Sequence, residues 1–171
     1  EFGASYNGGC QLCFPGTYSL NADVPTNACT RCPKGTYKRT YGAGVCQPCP
    51  AGTYTDTLGS PACILCEGGT YSEAVGAESE GTCVKCSTGK YSFPGSTVCR
   101  NAPAGTYIDY EGAKDSLPCL AGSYQPKSSQ TSCLPAPPGK FAPPGAAVAV
   151  RCPLGTARKE SNATPVNDCL A

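Results

Sequence analysis

Cysteine is the one residue type frequent and regular enough here to do chemistry, at 15 of 171 residues, and there is no histidine. C-x-x-C pairs open the chain at Cys10 and Cys13, Cys29 and Cys32, Cys46 and Cys49, Cys63 and Cys66, and Cys83 and Cys86. Three chemistries use that spacing: a zinc ribbon, a redox dithiol and a disulfide scaffold. Grouped as metal tetrads, the set with Cys83, Cys86 and Cys99 lacks its fourth ligand at Ala102, and the set with Cys119 and Cys133 lacks two, at Ser116 and Ala136. No histidine replaces them. A redox pair belongs beside a βαβ pattern, and the sequence has none. Neither a metal nor any other cofactor is expected.

A disulfide pairing that closes hairpins accounts for every loss. It joins the second cysteine of one C-x-x-C to the first of the next: Cys13 with Cys29, Cys32 with Cys46, Cys49 with Cys63, Cys66 with Cys83, Cys86 with Cys99, Cys119 with Cys133, and Cys152 with Cys169. Ala102 and Ser116 then replace both partners of one bridge, and Ala136 and Ala149 both partners of another. Bonds inside each C-x-x-C would instead strand Cys99, Cys119, Cys133, Cys152 and Cys169. Each hairpin bridge closes about 14 to 18 residues, worth roughly 3 kcal/mol by chain entropy, so bridges rather than a core are expected to hold the fold. Cys10 is left over, its partner expected upstream of Glu1 or on another chain.

The elements that must position these cysteines follow from a phrase, Cys46-Gln47-Pro48-Cys49-Pro50-Ala51-Gly52-Thr53-Tyr54, that recurs along the chain. Aligned on the second cysteine, repeats start at Cys13, Cys32, Cys49, Cys66, Cys86, Ala102, Cys119, Ala136 and Cys152; residues 1–12 read as the end of a preceding repeat. A short fixed period is the mark of units that survive only by stacking on neighbours. In Cys49-Pro50-Ala51-Gly52 proline at the second place and glycine at the fourth predict a type I turn, whereas Cys13-Phe14-Pro15-Gly16 and Ala136-Pro137-Pro138-Gly139 put proline where type I disfavours it. After the turn, Gly-Thr-Tyr predicts a short strand, then a loop, then a strand returning to the next cysteine, each strand three to five residues long. No helical periodicity appears. The expected fold is a small disulfide-rich chain, mostly irregular with short β-hairpins and almost no helix, stacked as an elongated, solenoid-like tandem-repeat rod.

An aromatic column, Tyr18, Tyr37, Tyr54, Tyr71, Tyr91, Tyr107, Tyr124 and Phe141, broken by Ala157, is expected to pack between successive hairpins. Little else is large: 4 Phe, no Trp and no Met stand against 21 Gly and 17 Pro. Such a cysteine-rich composition points to an oxidising, extracellular compartment. Net charge is +1, which gives no field to hold nucleic acid or an anionic membrane surface. The longest apolar run, residues 145–150, falls far short of the roughly 20 residues of a membrane helix, so no membrane insertion is expected. No leader opens the chain, which reads as a mature piece or a fragment.

At C-x-x-C-P-x-G-T-Y, best seen from Cys29 to Tyr37 and from Cys46 to Tyr54, the sequence resembles the ephrin-receptor-like cysteine-rich repeat of the growth-factor-receptor cysteine-rich group. The likeness runs over nearly the whole chain. It implies an extracellular module of the kind found in receptor ectodomains, adhesion proteins and large surface proteins. The expected role is a structural or spacer element of a surface filament, wall or stalk, whose partners are further copies of itself, other extracellular matrix components or glycans. The alternative is a receptor ectodomain segment that captures a ligand.

No enzyme is expected, because the hydroxyls have no evident base and the 12 carboxylates are scattered. Asn162-Ala163-Thr164 is an N-glycosylation acceptor. Charge is uneven: the second repeat holds Lys34, Lys38 and Arg39, and the fourth Glu67, Glu73, Glu78 and Glu80. These read as solvated faces, or as patches that match between neighbouring copies. The bridgeless eighth repeat carries Phe141, Val148 and Val150, expected either to pack on its neighbours or to form a contact with a partner.

Overall fold

The computed structural model describes residues 12–19, 29–153 and Cys169. Each repeat begins with a tight turn. In the third repeat the Thr53 N–H donates to the Pro50 carbonyl at 3.1 Å across Ala51 and Gly52. Gly52 has φ +80°, while the only described non-glycine residue with positive φ is Ser129. A left-handed residue at the third place alone defines a type II turn. The expected type I turn is therefore displaced by one residue, because glycine enters the left-handed region at little cost and the turn uses it there. Phe14-Pro15-Gly16-Thr17 and Pro137-Pro138-Gly139-Lys140, disfavoured on the type I reading, thereby place Pro-Gly at the two positions that type II prefers. The following threonine doubles the closure: its hydroxyl donates to the same carbonyl from Thr17 to Phe14 at 2.8 Å and from Thr53 to Pro50 at 2.7 Å.

The strands that follow span two residues each. Hairpins form between β1 (Thr17–Tyr18) and β2 (Thr30–Arg31), β3 (Thr36–Tyr37) and β4 (Gln47–Pro48), β5 (Thr53–Tyr54) and β6 (Ile64–Leu65), and β7 (Thr70–Tyr71) and β8 (Val84–Lys85). They continue with β9 (Lys90–Tyr91) and β10 (Arg100–Asn101), β11 (Thr106–Tyr107) and β12 (Leu117–Pro118), β13 (Ser123–Tyr124) and β14 (Leu134–Pro135), and β15 (Lys140–Phe141) and β16 (Val150–Arg151). One 3₁₀ turn, Glu80–Thr82, is the only helix among the described residues. The strands are shorter than the expected three to five residues because the residue after each aromatic turns its backbone groups toward a neighbouring repeat.

Two compact parts divide the chain: Glu1–Glu67 with Tyr71–Val84 and Pro94–Thr97, and Gly68–Thr70 with Lys85–Phe93 and Val98–Ala171. Within the first, the turn glycines donate to the next repeat, Gly16 to the Lys38 carbonyl at 2.7 Å, Gly35 to Thr55 at 2.9 Å and Gly52 to Ser72 at 2.8 Å. Those same residues donate onward, Lys38 to Ser60 at 3.2 Å, Thr55 to Ala77 at 3.0 Å and Ser72 to Ser96 at 3.2 Å. A loop glycine then reaches back to a cysteine carbonyl, from Gly59 to Cys32 at 2.8 Å and from Gly76 to Cys49 at 2.7 Å. The second part repeats the pattern: Gly89 donates to Ile108 at 2.9 Å, Ile108 to Gln130 at 3.0 Å, and Ser129 to Ala102 at 2.8 Å. Ala102 thus keeps the backbone bonds of a cysteine without its sulfur.

This ladder decides what is buried. The residue after each aromatic, Ser19, Lys38, Thr55, Ser72, Ser92, Ile108, Gln125 and Ala142, is buried, whereas the aromatics themselves are only half-buried. Adjacent strand residues face opposite ways, and the neighbouring repeat covers the face that carries the small, polar set. The expectation that the aromatic column packs between hairpins holds only in part: Tyr91 packs against the next repeat's Ala102, Ile108 and Ala113, but the fully enclosed places belong to the residues that follow the aromatics. Local groups satisfy the enclosed polar atoms: the Thr55 and Ser60 hydroxyls meet at 2.6 Å, Ser92 Oγ donates to the Thr70 carbonyl at 2.8 Å, and Gln125 Nε2 to that of Ser132 at 2.7 Å. No buried side-chain nitrogen or oxygen among the described residues lacks a partner.

Ser129, at φ +59°, stands where other repeats have a loop glycine at positive φ. A left-handed L-residue costs about 1–2 kcal/mol, and glycine returns part of that gain through a looser unfolded chain. Ser129→Gly is expected to stabilise the protein by about 0.5 kcal/mol, read as a higher urea midpoint with disulfides intact; an unchanged or lower midpoint contradicts it.

Candidate functional site

The bridging cysteines stand at the base of each hairpin, where the turn begins and the returning strand ends. Disulfides join Cys13 to Cys29, Cys32 to Cys46, Cys49 to Cys63, Cys66 to Cys83, Cys86 to Cys99, Cys119 to Cys133, and Cys152 to Cys169, with Cα separations of 5.6–5.8 Å. Peptide mapping without reduction is the chemical check on this pairing. The sulfurs are unequal in access: Cys32, Cys49, Cys66, Cys86 and Cys119 are fully buried, while their partners are half-buried. In the repeats without bridges, Ala102 and Ala136 occupy the buried place. Cys10 and Asn162 lie outside the described residues, as does most of the ninth repeat.

What each repeat junction presents to solvent is the pair of residues between its two cysteine places, whether both places hold cysteine or one holds Ala or Ser. Every strand built from them, from β2 to β16, is exposed at both residues. Within the second compact part three aliphatic members of this set pair across the hairpin with aromatics: Leu117 with Tyr107, Leu134 with Tyr124 and Val150 with Phe141. Cross-strand partners lie on one face of a sheet, so each of these hairpins shows solvent an aliphatic residue beside a half-buried ring. Phe141 is half-buried in this way. The apolar stretch of the eighth repeat divides, with Ala142 enclosed and Val148 and Val150 exposed at 62% and 46%.

The charges change meaning once the fold is seen. Lys38 is 5% exposed and belongs to the buried column, not to a basic surface; its Nζ donates to the Thr40 carbonyl at 2.9 Å and to that of Gly42. The fourth repeat's loop folds over the second repeat's turn, so that a methyl on Gly35 would meet the Gly76 carbonyl and stand 3.1 Å from Glu78 Cγ. The loop that carries Glu78 and the turn that carries Lys34, two repeats apart in sequence, therefore lie against each other within one chain. Asp56, Glu67 and Glu80 gather near Tyr54, whose phenol is raised above its ordinary pKa by burial first and then by Glu80, Asp56 and Glu67.

Burial lowers the Lys38 pKa from the ordinary lysine value of 10.5. Between the lowered value and the ordinary one the unfolded chain binds more protons than the folded chain, so stability rises with pH across that window. Below it the cost of enclosing the ammonium is fully present. Urea midpoints of the protein and of Lys38→Met, compared from pH 7 to 10.5, are expected to show a rise with pH in the protein that the variant lacks. Parallel profiles contradict this.

No curated protein matches the chain. A family model described as tyrosine-protein kinase ephrin type A/B receptor-like matches residues 22–62 and 105–151. The first match includes the turn, aromatic and bridge of the second repeat; the second starts at the turn glycine of the sixth repeat and ends on β16, the last strand among the described residues. Together the two segments cover just over half of the sequence, and the hairpins, bridges and turns within them are those of a cysteine-rich array: the chain belongs to the tyrosine-protein kinase ephrin type A/B receptor-like family, an extracellular type of module.

Proposed function

We propose that the chain is a structural or spacer segment of an extracellular surface assembly, a filament, wall or stalk, in which it binds protein or glycan partners and carries out no catalysis. The observation that carries this reading is the backbone ladder. Each repeat from the second to the seventh commits its turn glycine, its enclosed residue and the carbonyl at its cysteine place, which in the sixth is Ala102, to an adjacent repeat. Repeats bonded one to the next in this way transmit load, and the exposed returning strands remain free for contact.

Immunogold electron microscopy of the native source tests the proposal. Label running along a filament, wall or stalk is the expected result; label confined to the plasma membrane with no such assembly overturns it. Asp at both Val148 and Val150 tests the contact face. Their exposure predicts normal folding, and weakened association in sedimentation supports a role as a partner contact, whereas unchanged association removes them from the interface. The receptor-like family match favours a second reading, a ligand-binding segment of a receptor ectodomain. Cross-linking of native material to a soluble ligand, with no links between copies, would select that one.

A further inference from the structure

The second repeat departs from the others in its enclosed column. Where Ser19, Thr55, Ser72 and Ser92 place hydroxyls, it places Lys38, whose ammonium holds the carbonyls of Thr40 and Gly42. Burying an ammonium costs far more than burying a hydroxyl, so this side chain needs a local reason. The loop it ties is unusual: Gly42 and Gly44 have φ of +96° and +130° and donate to the first repeat, to the carbonyls of Cys13 at 2.9 Å and Ser19 at 3.1 Å. Beside that loop and the hairpin of β3 and β4 opens a cavity of about 390 Å³, whose walls include Tyr37, Arg39, Val45 and Gln47 together with Lys38.

The walls define the occupant. No carboxylate among the described residues lines the cavity, and between Cys29 and Thr55 the sequence has four bases, Arg31, Lys34, Lys38 and Arg39, and no acid. Two backbone carbonyls hold the Lys38 ammonium, whereas Arg39 is exposed and carries the planar fork that suits a carboxylate. Tyr37 supplies a flat ring and Val45 an apolar surface. Gln47, paired across the hairpin with Tyr37, is exposed and offers both a donor and an acceptor to hydroxyls. An anion with an apolar face to lie on the ring and several hydroxyls meets all three demands, and the volume suits a small ligand.

We propose that this cavity binds a uronic acid unit of an extracellular polysaccharide, with its carboxylate on Arg39, its ring against Tyr37 and a hydroxyl on Gln47. Lys38 is the positioning residue, which shapes the loop without touching the sugar. The proposal rests on the placement of the protein at an extracellular surface, and it names the glycan class that such a placement would meet.

Isothermal titration of the whole chain with digalacturonate, with its neutral counterpart digalactose and with acetate tests it. Digalacturonate is expected to bind saturably, and the other two at least about tenfold more weakly. Arg39→Gln is expected to lose about tenfold, the weight of one charge-assisted hydrogen bond. Gln47→Ala should weaken binding less; both side chains are exposed, so both variants should keep the wild-type urea midpoint. Lys38→Arg should retain affinity that Lys38→Met loses, when each is compared at a pH where its circular dichroism matches the wild type. Acetate binding as well as digalacturonate, digalactose binding equally, or an unaffected Arg39→Gln each overturn the site. Absence of any binding also overturns it, while leaving the proposed surface role to the microscopy.

Discussion

Replacing Gly52 with alanine is expected to cost about 3–5 kcal/mol, while the same change at Gly139 costs about 1–2 kcal/mol. Both glycines occupy the third place of their turns, with φ of +80° and +75°, so both variants pay the left-handed penalty of an L-residue. They differ in what the methyl meets. At Gly139 no described residue comes within 4 Å; at Gly52 the methyl would overlap the Gly95 carbonyl oxygen and stand 2.8 Å from its carbon and 3.2 Å from the Ser96 oxygen. Those atoms are backbone, and they are pinned: Gly95 N–H donates to the Cys66 carbonyl at 2.9 Å, and the Ser96 carbonyl accepts from Ser72 at 3.2 Å. Making room breaks rungs of the ladder. Urea midpoints measured without reductant should separate the two variants clearly, and equal losses would show that inter-repeat contact adds nothing to the turn's own strain.

The tandem period, the turn glycine and the near absence of helix are legible in the sequence because each follows from residue types at fixed spacing. The paired losses at Ala102 with Ser116 and at Ala136 with Ala149 are a pattern of the same kind. Other features are not legible. Proline after Cys49 suggests where the turn begins, but the turn is set by where glycine's left-handed conformation is needed, one residue further on. Size suggests that tyrosine fills the interior, yet the enclosed face belongs to Ser72, Ser92 and Thr55, chosen because neighbouring backbones approach closely there. The ladder itself joins N–H to C=O, groups that every residue but proline carries, so no residue type announces it. The apparent match of the second repeat's bases to the fourth repeat's acids shows the same limit, since only the fold reveals that the loop bearing Glu78 already lies on the turn bearing Lys34. The cavity beside Lys38 was hidden for a related reason: a lysine in a polar loop reads as solvated until its depth is known.

The sixth repeat shows what replaces a bridge, and Ile108→Ala should expose it. Ala102, Ile108 and Ala113 form a fully buried apolar cluster with Tyr91 packed against it, in a repeat that has lost both bridging cysteines. Ile108 is the largest fully buried side chain among the described residues. In the bridged third, fourth and fifth repeats the same column is filled by Thr55, Ser72 and Ser92 beside buried cysteine, so relative to them the isoleucine supplies the volume that a sulfur supplies there. Truncating a buried aliphatic side chain to alanine costs about 2–5 kcal/mol, which is as much as the roughly 3 kcal/mol of one bridge over a loop of this length. A loss below about 1 kcal/mol would mean that the backbone ladder alone holds the repeat. Restoring a bridge by Ala102→Cys with Ser116→Cys provides the complementary measurement, since the two positions are 14 apart in sequence, as are Cys119 and Cys133. Added to the native chain, the new sulfur crowds Ile108 and the gain should be small. Added to Ile108→Ala, it enters the space just vacated, and the stability recovered should approach the full value of a bridge. Equal gains in the two backgrounds would show that isoleucine and disulfide do not compete for the same place.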